Sequence, residues 1–315
     1  MARKKSFNSA IIFVLLLSAL LFISSDNYIT GFAVDDEWNQ STTTVTESSS
    51  TPSLVDVKLN NEIPIDLTAA TTKVVNCEAT VTDTNGYSDI QTGYGNITVY
   101  NTLATDSTCT PNNLNCYENI TYGISTPLGA DICPNTDTTT ATCTLSVAMQ
   151  FNTNQSANWA CNMTVADNGG STGHGVSLTP TGLNELKAIN INDSTMAFGT
   201  LEPLTFSDEI AQEISNHGNI VFNLSVNGTE LDCEGAAPNI SVGNISYNVT
   251  GPSATWGDYN LTGTLIEKEF NLYPNTTVTA TTPVAPVNST WWRLYLPQSS
   301  QSRGTCEGTI WFVGS

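Results

Sequence analysis

Positive charge is scarce in this sequence. Of 315 residues only nine are Lys or Arg, against 29 Asp or Glu, and Arg3, Lys4 and Lys5 stand at the extreme N-terminus. Beyond residue 25, six bases face 29 acids, a net charge of −23. A body so charged repels phosphate backbones and anionic headgroups, which excludes nucleic acid as a partner and a basic membrane patch. Histidine is scarcer still: His174 and His217 alone, both in Gly- or Asn-rich turns, and no Cys-x-x-Cys pair occurs. Structural zinc sites need closely spaced ligand pairs of those types, so none is expected. A Cys161/His174 nucleophilic pair would lack the third group that orients its base. Carboxylates abound, but nothing in the residue order sets two of them across a cleft, so no enzyme is expected. Helical periodicity is missing as well. The nearest helical candidate, "SDEIAQEIS" (207–215), reads equally well as a strand with Ile210, Gln212 and Ile214 on one face.

What is present begins with a basic "MARKKS" and a 14-residue apolar run, "AIIFVLLLSALLFI" (10–23), closed by Asp26 and Asn27. Its length and flank match a secretion signal, being short of the roughly 20 residues of a spanning helix. Residues 1–33 are therefore read as a cleaved signal peptide or a retained N-terminal anchor, and the body as exported. Any membrane contact would run through this segment if it stays uncleaved. "STTTVTESSSTPS" (41–53) has no hydrophobic period, so residues 34–53 read as a Ser/Thr-rich linker or stalk.

From "LVDVKLN" (54–60) onward short alternating runs rich in Val, Ile, Thr and aromatics are split by Asn, Gly, Asp and Pro. That is the pattern of an all-β sandwich protein. A partition near residue 183 gives two β-sandwich domains in tandem, 55–182 and 183–315, each of ordinary domain size.

The eight cysteines, an even number in an exported chain, argue for disulfides. "CEATVTDTNG" from Cys77 is echoed by "CNMTVADNGG" from Cys161; each cysteine precedes an aspartate by six positions, Asp83 or Asp167. On these stretches, with Trp159 two residues before the second cysteine, the first domain resembles an immunoglobulin-like sandwich. The resemblance implies a disulfide between Cys77 and Cys161, joining the second and sixth strands across the core. Cys109, Cys116, Cys133 and Cys143 fall in an enlarged loop region, 104–143. A nested ladder, 109 with 143 and 116 with 133, fits an antiparallel hairpin best; local pairing of 109 with 116 and 133 with 143 is the rival. Either would staple a loop whose tip is "GISTPLGAD". Cys233 and Cys306, alone in the second domain, should pair with each other.

"SNHGNIVFNLSVNGTELDC" and "NSTWWRLYLPQSSQSRGTCEGTIWFV" look like secreted β-sandwich proteins of small-genome archaea, similar to CARDB-type and other Ig-like surface modules. The likeness covers roughly 210–315, with a turn at Asn216, Gly218 and Asn219 and a strand at Trp292, Leu294, Leu296 and Pro297. "ITGFAV" after the leader also resembles such exported proteins. The resemblance implies fold and location and no activity.

Asn-x-Ser/Thr sequons occur at Asn39, Asn96, Asn119, Asn154, Asn162, Asn192, Asn223, Asn227, Asn239, Asn244, Asn248, Asn260, Asn275 and Asn288. Glycosylation at each needs surface exposure. In "NISVGNISYNVT" a single strand would put Asn244 and Asn248 on one face and Asn239 on the other, so at least one should go unused. Asn162 adjoins a core cysteine, although alternation points it outward.

Asp83, Asn85, Asp89 and Asp167 should meet at one end of the first sandwich and are hard oxygen donors of the kind calcium takes. Asp and Asn are also ordinary turn formers, and that plainer reading is the one the sequence favours. Apart from calcium no cofactor is expected. Alternation turns Trp292 inward with Leu294 and Leu296, leaving Trp291 with Arg293 and Tyr295 on the other face, where a flat ring could stack on sugar. The expectation is a non-catalytic glycoprotein of the cell surface, structural or adhesive, with envelope proteins or glycans as partners. The alternative is a carbohydrate-binding module or an accessory subunit of a surface hydrolase.

Overall fold

The computed structural model describes residues 49–118, 128–235, 238–252, 256–278, 284–298 and 304–315. The leader, most of the linker, Asn39, Asn119 and most of the "GISTPLGAD" tip lie outside them. Residues 48–315 form one compact unit with two hydrophobic cores.

The first core is built by β1 (Ser53–Leu59), β2 (Thr72–Thr82), β3 (Tyr94–Asn101), β4 (Cys116–Glu118), β5 (Thr140–Gln150), β6 (Ser156–Ala166), β7 (Thr172–Val176) and β8 (Thr181–Leu183). One sheet runs β1-β2-β5 and the other β4-β3-β6-β7, with β8 also paired to β6. Alternation explains the arrangement. In β2, Val75, Cys77, Ala79 and Val81 are fully buried, and in β6 so are Trp159, Cys161, Met163 and Val165. The Thr and Asn residues between them face away from the core, as a period of two requires. Trp159 donates its indole N–H to the carbonyl of Asn154, five residues upstream, at 3.2 Å. That is the kind of backward bond a corner aromatic makes in Ig-like sandwiches.

Each of β2 and β6 is central in its sheet, and Cys77–Cys161 joins them across the core with Cα atoms 6.3 Å apart. The nested ladder does not form. Cys109 pairs with Cys116 and Cys133 with Cys143. The reason is topological: β4, carrying Cys116, pairs with β3, whereas β5, carrying Cys143, pairs with β2 in the opposite sheet. The two segments are not arms of one hairpin, so the constant-sum argument has no ladder to act on. The stretch expected as a stapled loop also contains β4, the short helix Gly129–Ile132 and the start of β5.

The second core is enclosed by β9 (Ile189–Ile191), β10 (Ile210–Asn216), β11 (Phe222–Gly228), β12 (Asp232–Cys233), β13 (Ile245–Asn248), β14 (Tyr259–Asn260), β15 (Ile266–Leu272), β16 (Val287–Leu294), β17 (Cys306–Glu307) and β18 (Ile310–Gly314). The sheets run β14-β13-β16-β10-β9, β15-β11-β18 and β12-β17. "SDEIAQEIS" supplies β10: Gln212 and Ile214 are buried, Ile210 half-buried and Glu213 exposed. Trp292 is fully buried, stacked on Tyr247 at 4.8 Å and meeting Phe312 edge-on at 5.6 Å. Cys233 and Cys306 face each other across β12-β17 and are bridged.

Among the described residues, apart from single turns of 3-10 helix, the helices are Tyr87–Thr92 and Gly129–Ile132. Among the described residues no helix is long and apolar enough to cross a membrane.

Candidate metal centre

β2 and β6 position the candidate site. Asp83 follows the last residue of β2 and Asp167 the last residue of β6. Six residues is an even number, so each aspartate has the inward parity of its cysteine, about 20 Å further along the strand. Both are buried, 1% and 0% exposed. Asp89 joins them from the helix Tyr87–Thr92, entered through Gly86 at φ 109° and left at Gly93. A Cβ on Gly93 would stand 1.9 Å from the carbonyl oxygen of Ala166, so only glycine lets this segment cross the end of β6. One carboxylate oxygen from each of Asp83, Asp89 and Asp167 lies within 4.8 Å of the others.

Turn chemistry accounts for part of this. Asp83 Oδ1 accepts from the backbone N–H of Asn85 at 2.8 Å and from Ser50 Oγ at 2.6 Å. Asp167 Oδ1 accepts from the N–H of Ser171 at 2.8 Å, and its Oδ2 from Ser49 Oγ at 2.5 Å. Asp89 Oδ1 accepts from the N–H of Asn168 at 3.2 Å. The carbonyls of Asp83 and Asp167 each close a turn, to Gly86 and Gly170. Asp83 Oδ2, however, is buried without a hydrogen-bond partner. An ordinary turn-forming aspartate keeps such an oxygen in water, because burying it unpaired is costly.

The carboxylates also crowd one another. At an effective dielectric near 20, two unit charges about 4.8 Å apart repel by roughly 3.5 kcal/mol. Hard anionic oxygens gathered this closely, with the amide oxygen of Asn85 beside Ser50 at 2.6 Å, suit a hard divalent cation.

The remaining candidates scatter. Cys161 is bridged, so it cannot serve as a nucleophile. His174 lies exposed against Thr164 Oγ1 at 2.9 Å. His217 stacks on Phe151, and burial lowers its pKa. Of the described sequons, Asn192, Asn239 and Asn260 are exposed; Asn96, Asn154, Asn162, Asn223, Asn227, Asn244, Asn275 and Asn288 are partly buried; Asn248 is 3% exposed. The single strand expected through "NISVGNISYNVT" is broken: Asn244 ends a 3-10 turn (Val242–Asn244) and only Ile245–Asn248 is extended. Face alternation therefore does not relate Asn239 to Asn248, and Asn248 is buried where its side-chain Oδ1 accepts from the N–H of Asp258.

Trp291 is half-buried on β16. Three other rings do gather at the surface. Phe206, 47% exposed, lies 5.0 Å from Tyr295 and 5.5 Å from Trp256, with Trp256 and Tyr295 6.3 Å apart. Sequence reasoning placed Tyr295 on the outer face but missed Phe206 and Trp256, which come from segments with no strand pattern of their own. It also missed Ser49 and Ser50: read as the tail of a featureless linker, they are hydrogen-bonded into the acidic cluster, and β1 begins directly after, at Ser53.

No protein-family model and no curated protein sequence matches the chain. Among solved structures, the chain is similar to the secreted serine protease VesC from Vibrio cholerae at 9% identity and TM-score 0.19. That match covers 80% of this chain and 49% of the other, so the chain spans about half of the protease's length. It is also similar to a DUF4466 family protein from Parabacteroides merdae, at 11% identity and TM-score 0.23, covering 79% of this chain and 100% of that one. Superpositions this loose support no argument about function.

Proposed function

We propose that the chain is an exported, non-catalytic protein of the cell surface, structural or adhesive in role, of the general kind that CARDB-type and other Ig-like modules represent on archaeal cells. One observation carries the reading: all eight cysteines are paired in four bridges, in a chain whose first residues have the pattern of an export signal. Disulfides persist in oxidising compartments and are rare in the cytosol. The strongly negative, lysine-poor body and its sequons suit a solvated, glycosylated surface, with envelope proteins or glycans as partners and two sandwich domains as the working units. Labelling of intact cells with an impermeant reagent, followed by cross-linking and thiol titration, tests this. Surface labelling with no free thiol is the expected result; recovery from the cytoplasm with reduced cysteines refutes it.

A second reading, a carbohydrate-binding module, is favoured by the Phe206, Trp256 and Tyr295 cluster, since exposed flat rings stack on sugar faces. Trp256 also donates its indole N–H to Asn260, a sequon residue, at 2.6 Å. Glycan-array binding lost in Trp256→Ala, with Trp291→Ala unaffected, would favour the module. Partner capture without sugar would favour adhesion.

A further inference from the structure

We infer that the acidic end of the first sandwich is a calcium site, formed by Asp83, Asp89 and Asp167 with the amide oxygen of Asn85, and closed on the N-terminal side by Ser49 and Ser50. Two observations converge. One oxygen from each carboxylate lies within 4.8 Å of the others, so a point within about 2.8 Å of all three exists, just outside the ~2.3–2.6 Å range of Ca–O distances and within reach of a small closing of the cluster. Asp83, at 1% exposure, holds its Oδ2 buried with no hydrogen-bond partner, while its Oδ1 is occupied by Asn85 and Ser50. Turn formation explains the Oδ1 atoms of Asp83 and Asp167 and leaves the buried Oδ2 of Asp83 unexplained; a cation explains both.

The donor set selects among cations. All the donors are oxygens, three of them carboxylates, with neither thiolate nor imidazole in the cluster, which disfavours zinc and copper. Magnesium wants a near-ideal octahedron at ~2.0 Å and retains its waters, whereas calcium takes longer bonds and irregular geometry, which suits oxygens spaced as widely as these. Ser49 donates to Asp167 and Ser50 to Asp83, so the ion would also hold the incoming chain against the sandwich end. This inference does not depend on the surface-protein reading and can fail without it.

The test uses the full chain after chelator treatment. Calcium at ~10 mM should raise the melting temperature by about 5 °C if affinity is in the millimolar-to-submillimolar range of extracellular sites. Terbium luminescence sensitised by Tyr87, two residues from both Asn85 and Asp89, should be displaced by calcium and far less by magnesium. Asp89→Asn, at a half-buried position, should weaken calcium binding about tenfold or more, the loss of one ligand charge in a site tuned by charge count. Asp83→Asn should abolish the shift. Asp106→Asn, an exposed aspartate whose carboxylate accepts from Thr108 within its own turn, should leave it intact. Absence of both the thermal shift and terbium displacement in the unaltered chain overturns the inference. So does a shift of equal size with magnesium, or one that survives both Asp83→Asn and Asp89→Asn.

Discussion

Trp291→Ala and Trp292→Ala should have very different costs, although the residues are neighbours. Trp292 is fully buried on β16, its ring stacked on Tyr247 and edge-on to Phe312, and its indole N–H donates to Thr290 Oγ1 at 2.8 Å. Burying a ring of about 200 Å² at ~25 cal/mol per Å² stabilises by roughly 5 kcal/mol. Alanine retains part of that, the surroundings collapse partly into the cavity, and truncations of this kind cost about 3–5 kcal/mol. The ring pairs place Trp292→Ala near the top, at about 4–5 kcal/mol, a large share of the ~5–15 kcal/mol of a typical domain. Trp291, half-buried on the opposite face, should cost about 1 kcal/mol or less. Guanidinium denaturation followed by circular dichroism reads both. Trp292→Phe, which keeps a ring but loses the bond to Thr290, should fall between and serves if the alanine variant does not fold. A Trp291→Ala cost equal to or above that of Trp292→Ala refutes the inward and outward assignment of β16.

The bridges should separate by loop length. In the chain-entropy estimate, removing Cys77–Cys161, 84 residues apart, costs about 4.5 kcal/mol, against about 2.4 kcal/mol for Cys109–Cys116, 7 apart. Paired Cys→Ala variants compared by chemical denaturation check the order, and its reversal counts against the estimate. Tyr117 is buried, its hydroxyl donating to the carbonyl of Asn113, and its pKa is pushed up to about 12 by that burial. The raised value means its contribution is complete below pH ~10 and is lost as pH rises towards ~12, roughly 3 kcal/mol in all. Stability measured across that window should fall, and Tyr117→Phe should flatten the fall; an unchanged slope in the variant contradicts the assignment. In a glycosylating host, glycopeptide mass spectrometry should find Asn192, Asn239 and Asn260 modified and Asn248 bare. Full occupancy at Asn248 would contradict its burial.

Alternation was the strongest signal in the sequence, and it predicted well where strands are long. Ile214, Gln212 and Trp292 lie on the faces their parity assigns, because a half-buried strand tolerates apolar side chains on one side only. The clustering of Asp83, Asp89 and Asp167 was legible from the Cys77 and Cys161 echo, but the burial that makes it chemically unusual was not. Burial here depends on Gly93 crossing the end of β6 and on Ser49 and Ser50 arriving from outside the strands. The helix Tyr87–Thr92 is six residues long, too short for a 3.6-residue period to declare itself. Connectivity of Cys109, Cys116, Cys133 and Cys143 depends on which sheet each strand joins. Phe206, Trp256 and Tyr295 come from three separate segments, and no linear pattern brings them together.

The two long-range bridges also decide how the chain would yield under tension. At about 3.4 Å per extended residue, the 84-residue span closed by Cys77–Cys161 withholds roughly 285 Å of contour, and the 73-residue span closed by Cys233–Cys306 roughly 250 Å. A pull applied at the two ends passes through the sulfurs and bypasses most of both cores. The oxidised protein is therefore a shortened tether, and reducing its two long bridges would roughly double its extensible length before any peptide bond came under load.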